Sequence, residues 1–572
     1  MRPIVALCLF ALAPLAHAQT SAGFFKDTFE QMLRNDPEYA TGAGRHEYDD
    51  RWTDWSKAAR DQRRKFFEDR LAQLTAAKTG DTAEDILTKR VMRYDFESRL
   101  EAWDLDTHLL SVGQMHGFHI SVYVTIDDMP AHNVHDYENI VARLRAVPTY
   151  VDQYIGIMNE AIASGMMQPR IVADLIIGQL EAQAKQDADH TELLKAFRAF
   201  PASIPAAEQQ RLRKTAQDAY NQQFLPAWRK LHDYMVASYL PHVRSADSIS
   251  SMPGGRAAYT ILIHRLTTTT LPAAEIHKLG LDEVARIETA MAAIMKEAGF
   301  SGSIADFQKH MDEDPAQHFK TKDEMLANSR NIAMIILPEL PNQFRHIPGL
   351  LFGVRPIPPD REAASATNAQ GASADLSQPG WFNLNTYLPE KQVRYDQESL
   401  VLHEAIPGHI FQGAVGRQQT DLPELRRFYS NSAFGEGWAL YAESLGSQLG
   451  LYKDPYSRFG QLASERFRAA RLVVDTGIHD LGWTREQAID YFKAHSPQVS
   501  LAEIDRYISW PAQALSYKMG ELRIRSLRTK AEQQLGGKFD IRDFNDAVIR
   551  EGRLPLDLLT EQIDQFIAKT SH

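Results

Sequence analysis

The sequence predicts a mainly α protein with one small β-sheet. Three observations point there: apolar residues recur at spacings of three and four along most of the chain, strand-like runs are few, and Pro or Ser/Thr/Asp punctuation separates the periodic segments. The amphipathic stretches are 57–78, 84–102, 136–164, 171–187, 206–241, 272–298, 321–335, 459–481, 485–494 and 511–533. Leu271-Pro272 precedes one long helix and Ser509-Trp510-Pro511 another, as expected where Pro opens a helix. The two clearest strands are Leu350–Ile357 and Trp381–Thr386. The stretch between them, PPDREAASATNAQGASADLSQPG, has the composition of an exposed loop.

Composition narrows the class. The chain has 572 residues, 44% hydrophobic and 24% charged, which excludes wholesale disorder and a multi-span membrane protein. A net charge of −11 argues against a nucleic-acid partner. The first residues carry Arg2, an apolar run from Ile4 to Leu15 and Ala16-His17-Ala18, the pattern of a secretory signal cleaved after Ala18. Cleavage leaves residues 19–572 with no membrane-spanning segment and a periplasmic or secreted address. It also removes Cys8, the single cysteine, so thiolate nucleophiles and disulfides are excluded from the mature chain.

Residues 398–412, ESLVLHEAIPGHIFQ, concentrate the chemistry. His403, Glu404 and His409 lie within seven residues. Neutral imidazoles suit Zn²⁺, and an adjacent non-ligand carboxylate can take a proton from an activated water. Histidines at i and i+4 share a helix face, but here the spacing is i+6, which in a regular helix points about 240° away. Pro407-Gly408 lies inside the interval, so a break at 406–408 is expected to swing His409 back beside His403. Two unrelated histidines flanking a Pro-Gly turn is the alternative. Residues 434–446, FGEGWALYAESLG, offer Glu436 as a third ligand, completing a His₂Glu set, and Glu443 as a carboxylate behind it. Either could instead be an ordinary helix carboxylate.

Arg471, Asp475 and His479 follow at i, i+4 and i+8, on roughly one helix face. Asp475 is a candidate to orient His403 or His409, and His479 or Arg471 to hold a substrate carbonyl or carboxylate; a plain Arg–Asp helix pair is the alternative. The strand WFNLNTY, with Gly380 and Asn383, is a candidate edge for an extended substrate. His116 and His119 have H-x-x-H spacing but no neighbouring carboxylate, and read as packing or cleft lining.

The segments HEAIPGH, GEGWALYAE, GIMNEAIASGMMQPRIVADLIIGQ, HRLTTTTLPAAEIHKLGLDEVARIE, RLVVDTGIHDLGW and PAQALSYKMGELRI resemble the bacterial family known as domain of unknown function 885. They span most of the chain. The GEGWALY segment also resembles the N-E-G-F-A-x-Y segment of zinc aminopeptidases, whose Glu is a metal ligand. The wider similarity is to helical gluzincin-type zinc metallopeptidases, in which a cleft divides helical lobes. It implies a bilobed, zincin-like unit, with lobes at about 19–340 and 341–572. It further implies one Zn²⁺ on His403, His409 and Glu436, Glu404 as general base, and Tyr517, with or without His479, as oxyanion donor. The expected substrate is a short peptide or another small carbonyl compound. Hydrolysis of a different ester or amide bond, or ligand binding without catalysis, are the competing expectations.

Overall fold

A computed structural model describes residues 20–74, 80–110, 112–358, 362, 366–372, 379–496 and 500–572. The signal segment 1–18 lies outside the described residues. The architecture is mainly α with one three-stranded sheet. No helix among the described residues is long and apolar enough to cross a membrane.

Most helices sit where the periodicity puts them, with ends set by local chemistry. Capping boxes start the helices Ala83–Asp104, Val134–Ser164 and Arg485–His495, through Thr82 with Asp85, Asn133 with Asp136, and Thr484 with Gln487. Gly165, at φ 75°, closes the second of these in the left-handed region. The stretch 206–241 stays helical but contains two π turns, Tyr220–Phe224 and Met235–Tyr239. The expected helix at 511–533 begins instead at Ser516 and runs to Leu535. Its first expected turn is displaced because Ala512 is held at φ 68° with its N–H on Asp475.

The two expected strands form, as β1 (Phe352–Pro356) and β3 (Gly380–Leu384), but they pair in parallel. A short strand β2 (Asn368–Gln370) emerges from the supposed loop and pairs antiparallel with β3, giving the order β1-β3-β2. β3 is therefore central, and β2 is an edge. The sheet lies against helix His409–Gln418: a Cβ at Gly380 would come within 3.1 Å of Ile410 Cγ2.

Three buried apolar clusters hold the molecule. The largest joins Leu144, Val151, Trp228 and Phe224 to Leu472, Val474 and Ile478 of helix Pro455–His479. The second gathers Leu402, Ile410, Phe411, Phe434, Trp438 and Ile524 around the histidine segment. The third packs Phe24, Phe25, Phe29 and Phe96 near the N-terminus. Helices cross closely where glycine removes a side chain. Gly437 of helix Ser432–Glu443 lies on the backbone of Gly520 in helix Ser516–Leu535, which leaves no room for a Cβ on either. That crossing places Glu436 and Tyr517 at one junction.

Candidate metal centre

The helix carrying His403 and Glu404, Gln397–Glu404, stops where expected, and a new helix begins at His409. The break spans 405–408 and contains a cis Ile406–Pro407 bond. Two contacts set its shape. Trp438 Nε1 donates to the Pro407 carbonyl at 2.8 Å, and Gly408 lies so close to the carbonyls of Leu402 and His403 that a Cβ would overlap both. The result is that the rings of His403 and His409 stand 4.9 Å apart at 89°.

Glu436 completes the cluster. Its Oε2 lies 3.7 Å from His403 Nε2 and 3.3 Å from His409 Nε2, and one ligand atom from each side chain falls within 4.8 Å of the other two. Tetrahedral ligands about 2.0–2.1 Å from one ion sit roughly 3.3 Å from each other, so this donor set fits a single metal ion. No other such group occurs among the described residues. Burial alone would raise the Glu436 carboxyl, but attraction and hydrogen bonds from His409 and His403 hold it well below the usual range. Burial opposes a charge on His403, yet hydrogen bonds to Glu436 and Glu443 push it up to about 9.

Behind His403 stands Glu443, fully buried, accepting from Nδ1 at 2.8 Å. Its other oxygen accepts from Ser464 Oγ at 2.7 Å, and Arg468 in turn donates to Ser464 Oγ at 2.5 Å. This bond commits Nδ1 as a donor and leaves Nε2 free to ligate.

A cavity of about 460 Å³ opens over the cluster, and Glu404 and Tyr517 both line it. Burial raises the Glu404 carboxyl despite the nearby histidines. The Tyr517 ring lies parallel to that of His403 at 6.2 Å, with the Arg471 guanidinium 4.3 Å from its centre. Arg506 donates to the Tyr517 hydroxyl oxygen at 3.1 Å. That contact occupies a lone pair and leaves the O–H proton without an acceptor among the described residues.

Other expected site residues lie elsewhere. Asp475 orients neither histidine: it is fully buried and accepts from Tyr259 and from the Ala512 amide. His479 donates Nε2–H to the Tyr507 carbonyl at 2.9 Å and accepts the Ile249 N–H on Nδ1, so both ring nitrogens serve the backbone. Ser464 and Arg468, earlier in the same helix, are the residues that reach Glu443 behind His403. Arg471 keeps a supporting role through Tyr517. Asn383 sits on the central strand, its side chain bonded to Arg355 and Asn368, so among the described residues the edge strand beside the cavity is β2. His119 is buried and bonds Gln179, while His116 packs on Trp510 in the wall of a different cavity. Two arginines that the sequence reading passed over, Arg417 and Arg553, line the cavity. Arg417 was findable, since it lies at i+8 from His409.

A crystal structure of a "putative lipoprotein" from Colwellia psychrerythraea superposes with TM-score 0.91 at 26% identity, covering 96% of this chain and 100% of that one. A "putative lipoprotein of unknown function" from Shewanella oneidensis has the same fold, with TM-score 0.72 at 19% identity over 95% of this chain and 99% of that one. No curated protein matches the chain in sequence. The model of the bacterial proteins of unknown function DUF885 matches residues 37–563, and the chain belongs to that family.

Proposed function

We propose that the protein is a zinc-dependent hydrolase of peptide bonds in short peptides. The observation that carries this reading is the convergence of His403, His409 and Glu436 beneath an open cavity that also exposes Glu404 and Tyr517. The extended histidine spacing, which favoured a degenerate binding site, is absorbed by the bend at 405–408. Two imidazoles and one carboxylate are a zinc hydrolase's donor set, and a bound ion would supply Lewis-acid polarisation of a carbonyl and a more acidic water.

The chain's own groups supply the rest. Glu404 takes the proton of the attacking water and passes it to the leaving amine, and burial raises its carboxyl. Tyr517 donates a hydrogen bond from its free O–H to the developing oxyanion, with Arg506 and Arg471 holding the phenol in place. β2, an edge strand among the described residues, offers an extended substrate backbone hydrogen bonds beside the cluster. The signal-like N-terminus, and the lipoprotein description of the Colwellia relative, support a place in the cell envelope.

Metal analysis of the purified protein and digestion of a peptide library test the reading. Glu404→Gln is expected to keep metal and lose turnover, and His403→Ala or Glu436→Ala to lose metal. Activity surviving Glu404→Gln removes Glu404 as the base, and unchanged metal content in the other two removes the ligand set.

A further inference from the structure

Arg417 and Arg553 are walls of the metal cavity and also of a second cavity of about 380 Å³ beyond it. Neither makes a close ion pair among the described residues, although the Glu436 carboxylate attracts Arg553 from across the cavity. Arg417 donates to the Ala372 carbonyl and packs where a Cβ on Gly371 would be. Arg553 reaches Ser430 Oγ at 3.3 Å. Lys518, by contrast, is paired with three carboxylates. Burial and the neighbouring Arg553 charge both lower Arg417. Two half-buried like charges facing one cavity repel, and a bound anion relieves that repulsion.

The helix sets a length. His409, Gly413 and Arg417 stand at i, i+4 and i+8 of helix His409–Gln418, and all three line the cavity. At 1.5 Å per residue, the first and last α-carbons are roughly 12 Å apart along the axis. Gly413 between them faces open space, where a Cβ would meet nothing within 4 Å. Alongside, Asn368, Ala369 and Gly371 line the same cavity, and the Ala372 carbonyl holds Arg417 just past the end of β2. An extended chain advances about 3.3 Å per residue, so about three or four residues bridge the distance.

We propose that Arg417 and Arg553 form a carboxylate-binding subsite ending the substrate groove, so that the site takes peptides with a free α-carboxylate three or four residues beyond the carbonyl at the metal set. The location of that carbonyl rests on the hydrolase reading; recognition of the anion does not. Guanidinium groups suit the task because their fork of donors matches a carboxylate.

The test uses the zinc-loaded Glu404→Gln protein, titrated calorimetrically with N-acetyl-trialanine and with its C-terminal amide. The acid is expected to bind at least tenfold tighter than the amide. Adding Arg417→Gln with Arg553→Gln should reduce that preference to within twofold, leaving metal content and amide affinity unchanged. Should the double variant melt early, Arg553→Gln alone makes the same comparison at a half-buried residue whose side-chain hydrogen bond among the described residues is to Ser430, with at least a threefold loss of preference expected. Equal binding of acid and amide, a preference that survives in the variants, or no binding of either peptide overturns the proposal. Turnover is read separately on the unmutated protein. Acid preference without hydrolysis keeps the subsite and removes the hydrolase reading; equal hydrolysis of acid and amide peptides does the reverse.

Discussion

His403 and Glu443, forty positions apart, are joined by a 2.8 Å hydrogen bond sealed from solvent at both ends. The carboxylate can only accept, so Nδ1 carries the proton and Nε2 faces Glu436. Carboxylates behind ligating histidines typically contribute 10–100-fold to metal affinity. Glu443→Gln, which keeps an acceptor but loses the charge, is expected to weaken zinc binding by about tenfold, and Glu443→Ala by about a hundredfold. Competition against a chelator of known affinity measures both. Unchanged affinity in the Ala variant would show that the bond does not set the ligand.

Gly408 is required by contact, not by an unusual φ. A Cβ there would overlap the carbonyls of Leu402 and His403, so Gly408→Ala must open the bend that brings the histidines together. The expected outcome is a loss on the order of 2–4 kcal/mol in denaturant unfolding, with metal binding lost alongside. Gly413→Ala is the control on the following helix. Its Cβ meets open space, and alanine is the better helix former by about 1 kcal/mol, so stability should hold or rise slightly.

These two glycines also mark how far the sequence could be read. The Pro407-Gly408 pair inside the histidine interval announced a break, because proline and a crowded glycine act locally. Glu436 was legible because ligand sets are few and its GEGWALY segment resembles that of zinc aminopeptidases. β2 was not: three residues, Asn368 to Gln370, carry no alternation and owe their strand geometry to the neighbouring β3. Asp475 and His479 went wrong for a different reason. Periodicity placed them in a helix, but helix Pro455–His479 is seven turns long, and which turn meets the metal depends on packing against helix Ala273–Glu297. Gly280 sets that register by pressing against Leu472 and Val473, a contact no local pattern announces.

Lys518, next to Tyr517, is fully buried among Glu283 at 3.0 Å, Glu465 at 2.8 Å and Glu521 at 2.9 Å. Burial would raise Glu465, but Lys518, Arg286 and Arg525 hold it at about 2. Removing the central cation leaves three carboxylates short of positive charge, and breaking such buried sets costs about 3–5 kcal/mol. Lys518→Met is expected to lose that much in chemical denaturation. A near-neutral result would mean that Arg286 and Arg525 suffice to hold the three helices together.

Asp475 and His479, one turn apart beside Tyr259, give stability two opposing pH slopes. Burial pushes His479 down to about 3, against the Tyr507 carbonyl. Between about pH 3 and the ordinary value near 6.5, the unfolded chain therefore holds a proton that the fold refuses, and acid destabilises. Burial pushes Asp475 up to about 7, against its bonds from Tyr259 and Ala512. Between about pH 4 and 7 the fold keeps a proton the unfolded chain has lost, so here rising pH destabilises. Each slope amounts to on the order of 4 kcal/mol at roughly 1.4 kcal/mol per pH unit, and the two largely cancel between pH 4 and 6.5. Single variants separate them. Relative to the unmutated protein, Asp475→Asn should gain stability as pH rises from 4.5 to 6.5, and His479→Asn should lose it over the same interval. Denaturant unfolding at three pH values across that window measures the slopes; parallel profiles for all three proteins would mean that the fold holds neither group neutral.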